Sequence, residues 1–135
     1  MRIRYLAVAV LAAAVVAGAA AAARDAVPQG TYSATVRGQA AALNGTWKLT
    51  FGPVIAVTGP LTVTRNGALA VAGIFTVGSG KLAFVDNRGP YACKGRQRAG
   101  LYAYSLNGKK LKLTLVADQC TGRRQLLSGR TFTGR

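Results

Sequence analysis

Two Asn-Gly dipeptides, Asn66-Gly67 and Asn107-Gly108, constrain this chain more than any other feature. A type I′ turn needs φ > 0 at both central residues, and Asn-Gly accepts that readily, so each pair marks a two-residue hairpin. Ser79-Gly80 is a weaker third. Between and around these turns run short stretches of Val, Ile, Thr, Tyr and Phe, the composition of strands. Helix signals are nearly absent beyond the N-terminal segment. The pattern predicts strands at 31–37, 46–51, 61–65, 68–77, 81–85, 100–106, 109–116 and 123–132. Residues 54–57 either extend the second strand past Gly52-Pro53 or form a short strand of their own.

The turns set the register. Directly opposed residues share a face, and successive residues alternate between faces. Around Asn107-Gly108, Leu106 is expected opposite Lys109, Tyr104 opposite Leu111, and Tyr102 opposite Leu113. Tyr102, Tyr104, Leu111, Leu113 and Leu115 then lie inside, with Lys110 and Lys112 outside. The same logic places Phe75, Val77, Leu82 and Phe84 inside, and Trp47, Leu49 and Phe51 on one face of the second strand. At Asn66-Gly67 an inward Leu69 and Val71 would bring Thr62 and Thr64 inward too, unless a bulge shifts the register. In the last strand Leu126 and Phe132 share parity with Arg124 and Arg130, so one or both arginines face inward unless Gly129 marks a bulge.

An antiparallel up-and-down meander of about eight strands with one apolar face must hide that face and both edges. Closing as a small barrel does both. An immunoglobulin-like sandwich is the main rival, but it wants its Trp between two distant Cys, and Trp47 precedes both cysteines. The fold class expected is therefore all-β, preceded by an N-terminal signal helix.

That N-terminal segment carries Arg2 and Arg4, then an apolar run to Ala23 ending in small residues. This is the layout of a secretory signal. Residues 1–23 are read as that signal, with the cut position open to several residues, and 24–135 as one barrel domain of about 112 residues. The chain is thus expected to be secreted and not to span a membrane after cleavage; the rival reading is an uncleaved anchor, since the run is close to the minimum spanning length of roughly 18 residues but mostly alanine. Without Arg2 and Arg4, 16 Lys/Arg face three Asp, with no Glu and no His. That balance favours polyanions, anionic surfaces or acidic partners, or simply a solubilising surface.

In an exported chain the even pair Cys93 and Cys120 reads as a disulfide, contributing about 3–4 kcal/mol in the chain-entropy model. In a meander, alternate loops share an end, and the 86–99 and 117–122 connections are two strands apart, which suits the bond. Arg88, Lys94, Arg96, Arg98, Arg123 and Arg124 sit in or beside those loops, and 38–44 joins them at that end. The expectation is a cationic rim around one mouth of the barrel.

Gly30-Thr31-Tyr32, Gly45-Thr46-Trp47 and the late basic residues resemble the lipocalin-like, or calycin, group of barrels. In that group a first-strand Gly-x-Trp packs near a late Arg or Lys. Here Tyr32 holds the Trp position, and Arg124 or Arg130 would be the late cation. Arg130-Thr131-Phe132 is similar to the Arg-x-Tyr of fatty-acid-binding barrels, with Phe replacing Tyr. The stretches 100–104, 111–113 and 118–124 also resemble small secreted bacterial proteins with lipocalin-like domains, mostly of unknown role.

The residue types exclude much chemistry. Without His, and with the cysteines paired, metal ligands are lacking; no Ser or Thr has a His partner for nucleophilic catalysis. No metal, cofactor or catalytic set is expected, and Asp118 beside Arg123 and Arg124 reads as a loop-ordering ion pair. A specific nucleic-acid role conflicts with export. An outer-membrane barrel conflicts with Lys48, Lys81, Lys110 and Lys112, which would interrupt its lipid-facing band. Two binding expectations remain, beside a structural secreted protein with no specific ligand. One is a small amphipathic anion in the barrel, with Trp47, Tyr102 and Tyr104 as wall and Arg124 or Arg130 as charge partner. The other is an inhibitor or adhesion module whose cationic rim meets an acidic protein or a surface polyanion.

Overall fold

Eight antiparallel strands follow one another around a closed barrel in the computed structural model, which describes residues 26–135. The segment read as a signal helix lies outside the described residues. The strands are β1 (Gly30–Val36), β2 (Gly45–Phe51), β3 (Thr58–Arg65), β4 (Ala68–Gly78), β5 (Lys81–Arg88), β6 (Ala99–Asn107), β7 (Lys110–Asp118) and β8 (Thr131–Gly134). One short helix, α1 (Thr121–Leu127), separates β7 from β8. Every strand pairs with its sequence neighbours, and β8 pairs back onto β1 at Tyr32 and Ser33.

Two of the hairpins form as the turn chemistry requires. Asn66 and Gly67 have φ of 49° and 84°, and Ser79 and Gly80 have 51° and 68°, the left-handed pair of a type I′ turn. The third differs from its predicted register. Asn107 pairs with Lys110, so Gly108 and Lys109 are the central residues. Only Gly108, at 59°, has positive φ there, as a type II′ turn requires. Tyr104 then opposes Leu113 and Tyr102 opposes Leu115. The slip is an even number of residues, so faces are preserved.

Bulges decide the faces elsewhere. Between Val63 and Thr64 the β3–β4 register shifts. Ala70 and Val71 are both buried while Leu69 is 37% exposed, so Thr62 is exposed and the interior stays apolar. A second shift falls between Leu101 and Tyr102, where Val116 is the extra residue on β7. Such an insertion re-aims the strand. It turns Asp118 into the core in place of Ala117, while Leu115, expected inside and paired with Tyr102 just before the bulge, is 40% exposed.

The predicted strand 123–132 is a helix and a four-residue strand instead. Leu126 and Leu127 are neighbours and both buried, which a helix allows and a strand, alternating its side chains, does not. Arg, Gln and Leu are good helix formers, and Gly129 at φ 67° ends the run as a left-handed cap. Residues 54–57 form a loop closed by an isolated bridge from Ile55 to Thr58, not a strand.

Inside, Tyr32, Phe51 and Phe75 make successive edge-to-face contacts at 5.8 and 5.0 Å, and Phe84 meets Tyr102 at 5.7 Å. The three longest connections share one end of the barrel. The loop end carries 37–44, 66–67, 89–98 and 119–130; the turn end carries 52–57, 79–80 and 108–109.

Because Leu113 is fully buried and Leu115 is not, the two leucines should respond differently to truncation. Leu113→Ala should lower stability by about 2–5 kcal/mol, and Leu115→Ala by less than about 1 kcal/mol, read from urea denaturation.

Candidate functional site

At the loop end, one arginine is surrounded by both carboxylates of the described chain. Arg123 donates from Nε to Asp118 Oδ2 at 2.6 Å and from Nη2 to Asp118 Oδ1 at 2.7 Å. Its Nη1 lies 3.1 Å from Asp86 Oδ1. The remaining N–H groups go to the backbone carbonyls of Arg98 and Gln97 at 2.9 and 2.8 Å. A guanidinium has five N–H donors; four hydrogen bonds engage them here, and Nη1 adds the ion pair with Asp86.

The strands set up this cluster. Asp86 closes the inward row of β5 after Leu82 and Phe84. Asp118 faces inward because of the Val116 bulge. It stands opposite Gly100 on β6. A Cβ on Gly100 would lie 2.5 Å from Asp118 Oδ2 and 2.9 Å from Arg123 Nε, so only glycine leaves room for the pair. Arg123 comes from the first turns of α1. Tyr102, the next inward residue of β6, donates its hydroxyl to Asp118 Oδ2 at 2.5 Å.

The same carboxylates hold the cystine. The Cys93 N–H donates to Asp86 at 2.8 Å and the Cys120 N–H to Asp118 at 2.9 Å. Cys93 and Cys120 are disulfide-bonded, with Cα atoms 6.2 Å apart. The covalent bond and the ion cluster therefore tie the same two connections together.

The electrostatics follow the geometry. Burial opposes ionisation of Asp118, but hydrogen bonds from Arg123, Tyr102 and Cys120, with the charge of Arg123, outweigh it and hold the carboxyl below its usual 3.8. Burial raises the Tyr102 hydroxyl far above 10.0, reinforced by its bond to Asp118 and that carboxylate's charge. Burial works against the Arg123 cation, yet the bond to Asp118 and the charges of Asp86 and Asp118 raise its proton affinity.

Beside the cluster lies a cavity of about 70 Å³, walled by Trp47, Leu49, Val63, Phe84, Leu126 and Leu127, with Asp86 and Arg123 at its edge. A second arginine braces its outer side. Arg65 donates to the carbonyls of Asn44 and Ala41 and to the Tyr91 hydroxyl at 2.6–2.9 Å. Its guanidinium lies 5.9 Å from the Trp47 ring and 5.7 Å from Tyr91, which itself meets Trp47 edge-on at 5.5 Å. Trp47 also donates from Nε1 to Leu43 O at 2.7 Å.

The residues read from the sequence fall in three places. Trp47 lines the cavity. Tyr102 is buried in the ion cluster, and Tyr104 donates to Ala26 O at 2.9 Å, away from it. Arg124 is exposed, and Arg130 donates to Leu126 O at 2.6 Å, at the end of α1; neither lines the cavity. Arg88, Lys94, Arg96 and Arg98 are exposed at the loop end. Arg123 does not belong to the rim: its side chain is 8% exposed and its charge is matched internally. The cation beside Trp47 is Arg65 rather than a late arginine. Arg65 shares inward parity with Leu61 and Val63, a signal that could have found it, whereas Tyr91 lies in a loop with no pattern to reveal it.

No family model, curated protein or solved structure matches this chain. Its architecture defines the class: a closed eight-stranded antiparallel barrel with a disulfide across its loop end.

Removing Arg123 would strand two buried carboxylates. Arg123→Ala should therefore cost about 3–5 kcal/mol, while Arg124→Ala at the exposed neighbour should stay within about 0.5 kcal/mol, both by chemical denaturation. The pH profile has two edges. Asp118 binds its proton more weakly when folded, so its contribution is full above pH 3.8 and is lost as pH falls below it. Tyr102 binds its proton more tightly when folded, so its contribution is full below pH 10.0 and is lost as pH rises beyond it. The chain has no His, so urea midpoints should stay level from about pH 5 to about pH 9 and decline on both sides.

Proposed function

We propose that this chain is an exported, non-enzymatic binding module that engages a polyanion through the cationic loop end of its barrel. One observation carries the reading. Asp86 and Asp118 are both buried and both committed to Arg123. Of the 18 Lys/Arg, all but Arg2, Arg4 and Arg24 lie in 26–135. With Arg123 neutralised, fourteen cations remain among the described residues, and no side-chain carboxylate reaches the surface beside them. Arg37, Arg88, Lys94, Arg96, Arg98 and Arg124 concentrate that charge at the loop end. A one-signed field of this kind attracts polyanions and speeds their association.

The barrel interior supports the alternative, a small amphipathic anion, less well. The inward cation already has two carboxylates. About 70 Å³ accommodates on the order of five water-sized groups, whereas sites for drug-sized ligands run to roughly 300 Å³ or more. The resemblance to lipocalin-like barrels supports a binding role on this scaffold. The disulfide is compatible with an extracytoplasmic setting, as is the secretory layout of residues 1–23.

Binding to immobilised dextran sulfate should weaken steeply with salt, by about tenfold or more from about 50 to about 200 mM, because each contact releases counterions. Lys94→Gln with Arg96→Gln should lower the slope of log K against log salt by roughly 2. Lys48→Gln with Lys112→Gln, on the barrel wall, should change it less. A salt-insensitive affinity, or equal effects of the two pairs, would count against the rim.

A further inference from the structure

The turn end carries a feature that the rim does not explain. Ile55 is 84% exposed and Val57 is 52% exposed, the two most exposed large hydrophobic residues among those described. They sit at the tip of the 52–57 loop, next to Pro53 and Ala56, which are also exposed. The tip is firmly held. Ile55 N–H donates to Thr58 O at 2.9 Å and Thr58 N–H to Ile55 O at 3.2 Å. Val77 N–H donates to Val57 O at 2.8 Å, and Gly52 N–H to Pro60 O at 2.9 Å, bracing the loop on its strands.

Its composition is unusual for such a turn. Ala56 has φ of 57°, in the left-handed region that favours Gly or Asn. A solvent-facing turn normally fills that place with a polar or glycine residue. Here Val54, Ile55, Ala56 and Val57 are all aliphatic. Only Val54 turns back to pack against the core.

The surroundings indicate what meets the tip. Lys81 follows the 79–80 turn, Lys109 lies in the 108–109 turn with Lys110 just after it, and Arg135 follows β8 at the same end. Asp86 and Asp118 lie at the far end of the barrel, so among the described residues this end has Lys and Arg but no acidic side chain. Two aliphatic side chains are far too few for a stable protein interface, which buries about 1,200 Å² or more. They suit the boundary of a bilayer, where binding grows with buried apolar area and with attraction to anionic lipids. Lysines near such a surface add to the attraction.

We infer that the turn end docks on an anionic lipid surface, with Ile55 and Val57 entering the headgroup boundary and Lys81, Lys109, Lys110 and Arg135 facing the lipid phosphates. This site is separate from the loop-end rim and stands independently of it.

The test is co-sedimentation with vesicles of phosphatidylcholine alone or with phosphatidylglycerol at a few parts in ten. Parent and variants are purified in the same disulfide-bonded N-terminal form, so any contribution of residues 1–25 cancels. The parent should bind the anionic vesicles and hardly bind the neutral ones. Ile55→Ser with Val57→Ser, whose parent side chains lie outside the core, should fold normally by circular dichroism and lose tenfold or more in partition. Lys109→Gln with Lys110→Gln should weaken binding severalfold and flatten its salt dependence. Lys94→Gln with Arg96→Gln, at the rim, should bind vesicles nearly as well as the parent while losing dextran sulfate. Undiminished binding by the tip variant, equal partition into neutral vesicles, or no binding by the parent overturns the proposal. Loss of vesicle binding through the rim variant instead would assign the lipid contact to the wrong end and overturn it equally.

Discussion

Arg123, held between Asp86 and Asp118, is the interaction on which the loop end depends. Burying a cation and two carboxylates is costly unless each is paired and hydrogen-bonded. Here the geometry meets that condition. The guanidinium satisfies both acids and two backbone carbonyls, Tyr102 adds a hydroxyl, and each cysteine N–H reaches one of the acids. No buried side-chain polar atom among the described residues is left without a partner. The disulfide then limits how far the two connections separate in the unfolded chain, while the ion cluster determines how they sit when folded.

That arrangement has a consequence at the surface. Acidic residues usually temper a basic exterior; here the two in the described chain are inside. The positive field is therefore a product of folding as well as of composition. Long loops gather part of it at one end of the barrel, while the other end combines lysines with an aliphatic tip. The two ends of this barrel thus present different surfaces, one cationic and one amphipathic.

Much of the scaffold was legible because local chemistry and global fold agree. Asn66-Gly67 and Ser79-Gly80 form the turns their φ preferences demand, and alternation placed Trp47, Leu49, Phe51, Phe75, Leu82 and Phe84 in the core. The pairing of Cys93 with Cys120 followed from an even pair of cysteines in a chain read as exported, and strand counting agreed with it. What escaped notice had a common cause. An extra residue in a strand leaves no mark in the hydrophobic pattern, yet it reverses every face beyond it. The Val116 bulge buries Asp118 in place of Ala117 in this way. Likewise, Leu126 and Leu127 match a strand's composition as well as a helix's, and their joint burial only emerges when α1 packs against β7.

The sequence alone determined the all-β meander and the excess of positive charge, because turn propensity, two-residue periodicity and ionisable side chains are local properties. Tertiary structure alone decided which charges survive at the surface. Arg123 and Arg124 are adjacent and chemically identical in the chain. One is enclosed by carboxylates from β5 and β7 and the other faces solvent, because that difference lies in three-dimensional neighbours brought together by strand register and a single bulge.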